Sequence, residues 1–196
     1  MRGSTGFGHT YVTLDDRENR LESIADLVDM LDWLREDGRV DADRAAVVGG
    51  SYGGYAVNAA VANFPGNFAA GVSLFGVADW VTALEVASPG LKASDRIEYG
   101  DITEDYWREY YTENSPIRQA DQIDVPMLYS HGARDPRIDI YETEVMVRTI
   151  RENGVRADYI RFLDEGHGWR KLSNQLFYAR AQAEFLADVL DMDIGE

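Results

Sequence analysis

A serine enclosed by glycines is the first feature of this chain that could do chemistry. The run Gly49-Gly50-Ser51-Tyr52-Gly53 fits the pattern G-x-S-x-G and lies between a predicted strand and a predicted helix. On such a turn the backbone is strained, the serine hydroxyl projects above the sheet, and a Cβ at either flanking glycine is expected to clash. The run predicts Ser51 as a nucleophile, with the backbone N–H of Tyr52 at the positive end of the helix as an oxyanion donor. A glycine-rich turn that only packs closely or binds phosphate is the alternative.

A serine nucleophile needs a base beside it and a group that orients the base. The chain has three histidines, His9, His131 and His167, and His167 lies in the loop directly after the fourth predicted strand. Asp135 lies in the loop after the third predicted strand. Because the carboxyl ends of parallel strands meet at one edge of a sheet, we expect Ser51, Asp135 and His167 to meet there. Their types and positions predict a nucleophile, an orienting acid and a general base.

Two other carboxylates compete with Asp135 for the orienting role. Asp139 lies at the predicted start of a helix, where capping explains it, and Asp164 lies three residues before His167, where it is expected to brace the loop. Neither is excluded by its spacing. His131 is interpreted as structural because it precedes Asp135 in a tight turn. A metal site is disfavoured because the histidines lie on separate elements and the chain has neither an H-E-x-x-H pattern nor a cysteine cluster, and no cofactor is predicted.

The elements that would position these side chains alternate between strand and helix patterns, which is typical of a mostly parallel α/β sheet. Strands are predicted at 44–48, 69–75, 125–130 and 157–163, and helices at 21–34, 55–63, 141–153 and 172–190. The segment 77–115 has no strand pattern and is expected to form a lid-like excursion of short helices over the sheet edge. Its aromatic side chains are expected mostly to pack that excursion onto the sheet. The length of 196 residues favours one domain.

The charge of the chain limits its partners. Asp and Glu number 35 against 19 Lys and Arg, which gives a net charge of −16, so nucleic acid and anionic membranes are disfavoured. The acidic surface is expected to favour cationic or neutral peptides by long-range steering. No apolar run could cross a bilayer, there are no cysteines, and the N-terminus lacks a secretory signal pattern, which together predict a cytoplasmic, soluble protein.

Lysine is nearly absent from this acidic chain. Only Lys92 and Lys171 are lysines, a composition that suits a salt-adapted protein or a GC-rich genome, and a folding curve against KCl concentration would separate the two.

Five segments together resemble the prolyl oligopeptidase family, particularly its acylaminoacyl-peptidase-like branch. They are residues 2–8, 50–55, 114–117, 131–137 and 164–168, so the resemblance spans nearly the whole chain. It implies a truncated α/β-hydrolase and a serine peptidase that cuts short peptides or acylated N-termini. The resemblance also implies Ser51, Asp135 and His167 as the catalytic triad, with Tyr52 as one oxyanion donor.

The family pattern extends upstream of this sequence. Members carry further strands and usually a β-propeller before residues 2–8, which implies that this chain is the C-terminal part of one catalytic domain, without the second oxyanion donor. Losing one such donor costs on the order of 10²–10³ in rate. Without the further strands, segment 44–48 would be an exposed edge, which predicts a homo-oligomer or association with another chain there. A carboxylesterase of the same fold and a catalytically silent scaffold remain alternatives.

Overall fold

The four apolar segments form one parallel sheet in the computed structural model, which describes residues 1–193 and, for Ser94, the backbone alone. The strands are β1 (Ala46–Gly50), β2 (Ala70–Leu74), β3 (Met127–Gly132) and β4 (Ala157–Phe162). They lie in the order β1-β2-β3-β4, and each neighbouring pair is parallel. Every strand therefore ends at the same edge of the sheet, and the prediction of an α/β fold with about four strands is confirmed.

Helices flank this sheet. They are α1 (His9–Val12), α2 (Arg20–Asp37), α3 (Tyr52–Asn63), α4 (Trp80–Val86), α5 (Pro89–Tyr99), α6 (Asp105–Asn114), α7 (Ile140–Glu152) and α8 (Leu172–Val189), with 3-10 turns at Arg17–Asn19, Ala42–Arg44 and Pro116–Gln122. Helix α2 ends at Gly38, which takes the left-handed conformation at φ 68° and donates its N–H to the Leu34 carbonyl. Within residues 1–193 we find no helix with the length and apolar character needed to cross a membrane.

Several boundaries differ from the sequence prediction by one to three residues, among them those of β1, which was predicted at 44–48 and is Ala46–Gly50. β3 begins at Met127 instead of residue 125, because Pro126 has no N–H to donate to a neighbouring strand. Helix α3 begins at Tyr52 instead of residue 55, since tertiary packing overrides the weak helix propensity of Gly53 and Gly54.

The two faces of the sheet are covered by different helices. Along β3, Met127 and Tyr129 belong to the core that includes residues of α3 and α7, whereas Leu128 belongs to the core with Phe185 of α8. This alternation follows from the period of two residues in a strand. The inward face of α3 is built of small residues, and Ala59 and Ala60 are fully buried, which lets this helix lie close to the sheet.

The excursion contains α4, α5 and α6 and is anchored to α7 by a buried carboxylate. Glu142 is 2% exposed and accepts hydrogen bonds from the backbone N–H groups of Ala78 (2.9 Å) and Asp79 (2.8 Å). Trp80 packs against Tyr99 and Tyr111 within the core. The excursion is thus packed onto α7 and, through the contact between Trp80 and Tyr55, onto α3.

One edge of the sheet carries no partner strand among the described residues. β1 pairs with β2 on one side, and its Val48 is 47% exposed.

Candidate active site

Ser51 lies on the turn between β1 and α3 with a strained backbone. Its φ of 59° and ψ of −121° are unusual for a residue with a side chain. The turn is held by two main-chain hydrogen bonds: the Ser51 N–H donates to the Leu74 carbonyl of β2 (3.0 Å), and the Ser51 carbonyl accepts from the N–H of Tyr55 (3.1 Å). The sharp strand-to-helix turn that the sequence predicted is therefore present.

Two glycines near Ser51 have no room for a side chain, but only one of them belongs to the G-x-S-x-G motif. A Cβ on Gly49 would lie 2.4 Å from the Gly53 carbonyl oxygen, so the requirement at Gly49 is met by geometry. A Cβ on Gly53 would meet nothing within 4 Å, so the expected clash at that position is wrong. The crowded position is Gly54, where a Cβ would lie 2.7 Å from the Cα of Gly76. The close approach between α3 and the chain after β2 therefore occurs at Gly54, one residue after the last glycine of the motif.

The structure brings the three predicted side chains together at the carboxyl edge of the sheet. Nε2 of His167 lies 2.8 Å from Oγ of Ser51, and Nδ1 of His167 lies 2.7 Å from Oδ2 of Asp135. Because an ionised carboxylate only accepts hydrogen bonds, Nδ1 of His167 carries the proton and Nε2 can accept from the serine hydroxyl. This arrangement can take a proton from Ser51.

Asp135 is enclosed by donors. Its side chain is fully buried, and Oδ1 accepts from the backbone N–H groups of Arg137 (2.8 Å) and Ile138 (3.1 Å). Burial tends to raise the pKa of this carboxyl, but hydrogen bonds from His131, Arg137, His167 and Ile138 outweigh it and lower the pKa to about 2. The carboxylate is therefore ionised at neutral pH.

His131, interpreted from the sequence as structural, also touches this carboxylate. Its side chain is fully buried, and Nε2 lies 3.3 Å from Oδ2 of Asp135 and 3.1 Å from the Ile138 carbonyl oxygen. Both are acceptors, so Nε2 carries the proton, and Nδ1 accepts from the Thr143 hydroxyl at 2.8 Å. Its place at the start of the same tight turn as Asp135 was the available signal for this contact.

The competing carboxylates have other partners. Asp139 accepts from the N–H of Tyr141 at 2.8 Å and caps α7. Asp164 pairs with Lys171 and accepts from Asn174 at 3.2 Å. These bonds brace the loop, as expected for Asp164, and the neighbouring Glu165 holds the same loop by accepting from the N–H groups of Arg170 and Lys171. His9 lies in α1 and is exposed.

Phe75 is a site residue that the sequence analysis missed. It directly follows β2, has a positive φ of 39°, and places its ring 4.6 Å from the His167 ring, centroid to centroid. It also packs edge-on against Trp169, at 5.4 Å. Its position at the carboxyl end of a strand was the signal that could have found it. The contact limits the positions open to the imidazole.

The oxyanion donor predicted from the motif is the first residue of α3. The first N–H groups of a helix have no partner within the helix, so the N–H of Tyr52 is free to face an oxyanion above Ser51. The side chain of Tyr52 points elsewhere, since its hydroxyl accepts from NH1 of the buried Arg20 at 2.8 Å. In the described part of the chain, no group of three or more acidic or histidine side chains is placed to hold a metal ion.

Comparison with known proteins decides the family. The model of the prolyl oligopeptidase family matches residues 1–193. The chain belongs to the prolyl oligopeptidase family. Dipeptidyl aminopeptidase BIII of Pseudoxanthomonas mexicana is 33% identical over 97% of this chain, and dipeptidyl peptidase family member 6 of Caenorhabditis elegans is 31% identical over 90%. The chain spans 28% and 24% of the length of these two family members.

Solved structures of similar peptidases agree in fold. A puromycin-hydrolysing peptidase of Mycobacterium tuberculosis superposes with a TM-score of 0.91 at 27% identity, covering 97% of this chain and 29% of that one. An acylaminoacyl peptidase of Pyrococcus horikoshii superposes with a TM-score of 0.86 at 24% identity, covering 100% of this chain and 32% of that one. The family member described here therefore has the α/β-hydrolase fold.

Proposed function

We propose that this chain carries the nucleophile, base and acid of a serine peptidase that hydrolyses peptide bonds of short peptides. The observation that carries the proposal is the continuous hydrogen-bonded path from Ser51 Oγ through His167 to Asp135, with distances of 2.8 and 2.7 Å. Membership of a peptidase family supports it.

The first half of the reaction forms an acyl-enzyme. Oγ of Ser51 attacks the peptide carbonyl carbon while His167 Nε2 takes the hydroxyl proton. The carbonyl oxygen becomes an oxyanion, for which the N–H of Tyr52 is the donor. When the C–N bond breaks, His167 returns its proton to the leaving amine, and the acyl group stays on Ser51.

In the second half, water replaces the amine. His167 takes a proton from water as the oxygen attacks the acyl carbon, and then gives that proton back to Ser51 as the acid product leaves. Through both halves Asp135 stays ionised because its pKa is about 2, so it holds the Nδ1 proton of His167 and stabilises the imidazolium.

Paired substrates test this proposal. We expect an acylated peptide anilide to be hydrolysed by the wild-type chain and not by Ser51→Ala, because the imidazole of His167 lies 2.8 Å from the Ser51 hydroxyl. Ser173→Ala is the matched control, since Ser173 is an exposed serine on α8.

The alternatives give different results in the same assay. Ester hydrolysis without amide hydrolysis would indicate the carboxylesterase. No Ser51-dependent turnover of either substrate would indicate the silent scaffold and would contradict the proposal.

A further inference from the structure

A cavity beside His167 has a local charge opposite to that of the chain. Its volume is about 700 Å³, and four basic and two acidic side chains line it: Arg134, Arg137, Arg170, Lys171, Asp164 and Glu165. Over the whole chain, 35 acidic side chains face only 19 basic ones. The excess of positive charge at this cavity is therefore a local feature.

The two acids of this cavity are already engaged. Asp164 pairs with Lys171. Glu165 is 4% exposed and accepts from the backbone N–H groups of Arg170 (3.1 Å) and Lys171 (2.9 Å), so it holds the loop that carries His167. Neither acid forms an ion pair with one of the three arginines.

The three guanidinium groups are without an ion-pair partner. Throughout residues 1–193, no carboxylate lies within ion-pair distance of the Arg134, Arg137 or Arg170 side chain. Elsewhere in this acid-rich chain, Arg35 and Arg156 each pair with two carboxylates. Unpaired guanidinium groups at one cavity are suited to a planar anion, because their N–H donors match the two oxygens of a carboxylate.

We propose that this cavity, which we call the arginine cavity, binds a carboxylate group of the peptide substrate; this inference rests on the proposed function. His167 lines the arginine cavity, whereas Ser51 and Tyr52 do not. A peptide with its carbonyl at Ser51 therefore extends past His167 into the cavity, and the half that leaves as an amine is the half that His167 protonates. The free carboxylate at the C-terminus of a short peptide fits this position.

From the net charge alone we expected cationic or neutral peptides, whereas the arginine cavity would favour a peptide with an anionic group. Long-range repulsion from a chain of charge −16 is screened beyond about 8–10 Å at physiological salt, whereas the arginine cavity acts at contact distance. Selection for an anionic group is therefore compatible with an acidic surface.

Binding to a variant that cannot turn over tests the arginine cavity separately from catalysis. Three alanine pentapeptides serve as probes: one with an acetyl cap and a free C-terminal carboxylate, one with an acetyl cap and a C-terminal amide, and one with a succinyl cap and a C-terminal amide. Their affinities for Ser51→Ala are measured by calorimetry at physiological salt, where long-range repulsion from the acidic chain is screened. We expect the free-carboxylate peptide to bind about five- to tenfold more tightly than the neutral peptide, as two exposed ion pairs allow. Tighter binding of the succinyl peptide instead would place the carboxylate on the acyl side.

Charge-removing variants locate the preference. Adding Arg134→Gln, Arg137→Gln and Arg170→Gln to Ser51→Ala is expected to remove it, because this variant lacks all three unpaired guanidinium groups. Adding Arg148→Gln is the matched control and is expected to keep it, because Arg148 is an exposed arginine of α7 that lines a different cavity. Equal affinity for all three probes, no binding of any probe, or a preference that survives the loss of all three arginines would overturn the inference. If the free-carboxylate peptide binds more tightly but the wild-type chain hydrolyses no peptide, the proposed function is contradicted and the binding role of the arginine cavity is not.

Discussion

Replacing His131 tests how the candidate triad holds its acid. In the structure, Oδ2 of Asp135 receives two donors, Nδ1 of His167 at 2.7 Å and Nε2 of His131 at 3.3 Å. His131→Leu removes the second donor, while Asp135 keeps its bonds from the N–H groups of Arg137 and Ile138. The carboxylate would then be held less firmly in the orientation that binds His167.

The size of the effect follows from the length of this contact. A hydrogen bond to a charged group contributes roughly 1.5–3 kcal/mol, and 3.3 Å is long, so we take about 1.5 kcal/mol. If that energy is lost in the transition state, kcat/KM falls about tenfold. The variant also leaves the Thr143 hydroxyl and the Ile138 carbonyl without their buried partner, which costs roughly 1–3 kcal/mol of stability for each group.

The assay compares peptide hydrolysis and thermal unfolding for wild type, His131→Leu and His131→Gln. Glutamine can place an amide N–H near Oδ2 of Asp135 and an amide oxygen near Thr143, so it is expected to recover most of the lost rate. A folded His131→Leu protein with wild-type kcat/KM would refute the reasoning, and so would equal losses of rate in both variants.

Three further perturbations have outcomes set by the structure. Gly49→Ala is expected to destabilise the chain by at least about 2 kcal/mol because its Cβ would lie 2.4 Å from a backbone oxygen, whereas Gly53→Ala should be nearly neutral; equal denaturant midpoints would contradict this. The folded-state pKa of Asp135 is depressed, so its ionisation stabilises the protein above about pH 4, and this contribution is lost as pH falls towards about 2. The difference in unfolding free energy between wild type and Asp135→Asn, measured by urea unfolding, should therefore shrink over that range. A constant difference would count against this prediction. The exposed strand edge at Val48 should make the isolated chain self-associate. Light scattering should show that Val48→Lys is less associated than the control Leu176→Lys on α8. A monomeric wild-type chain would show that this edge does not pair.

The sequence alone predicted the strands of the sheet and the proximity of the three candidate triad residues. Apolar runs and helical spacing locate every strand of the described sheet to within two residues at its start, because burial on both faces leaves a strong signal. The rule that parallel strands end at one edge then brings Ser51, Asp135 and His167 together.

Other features depended on contacts between distant segments. Gly54 is constrained by Gly76, and the motif gave no indication that this glycine, and not Gly53, is the crowded one. Arg20 is fully buried, with its guanidinium 3.9 Å from the centre of the Tyr99 ring, and no pattern in the sequence distinguishes it from a surface arginine. The charge of the arginine cavity likewise could not be predicted from the sequence, because it depends on the partners of Asp164 and Glu165 in the folded chain.

Mass-spectrometric mapping of a fluorophosphonate adduct would show whether His167 activates Ser51, since only an activated hydroxyl reacts quickly with this reagent. We expect one adduct, on Ser51, which forms on the wild-type chain and not on His167→Ala. A wild-type chain that is folded and takes up no reagent at Ser51, or an adduct that forms equally fast without the imidazole, would contradict it.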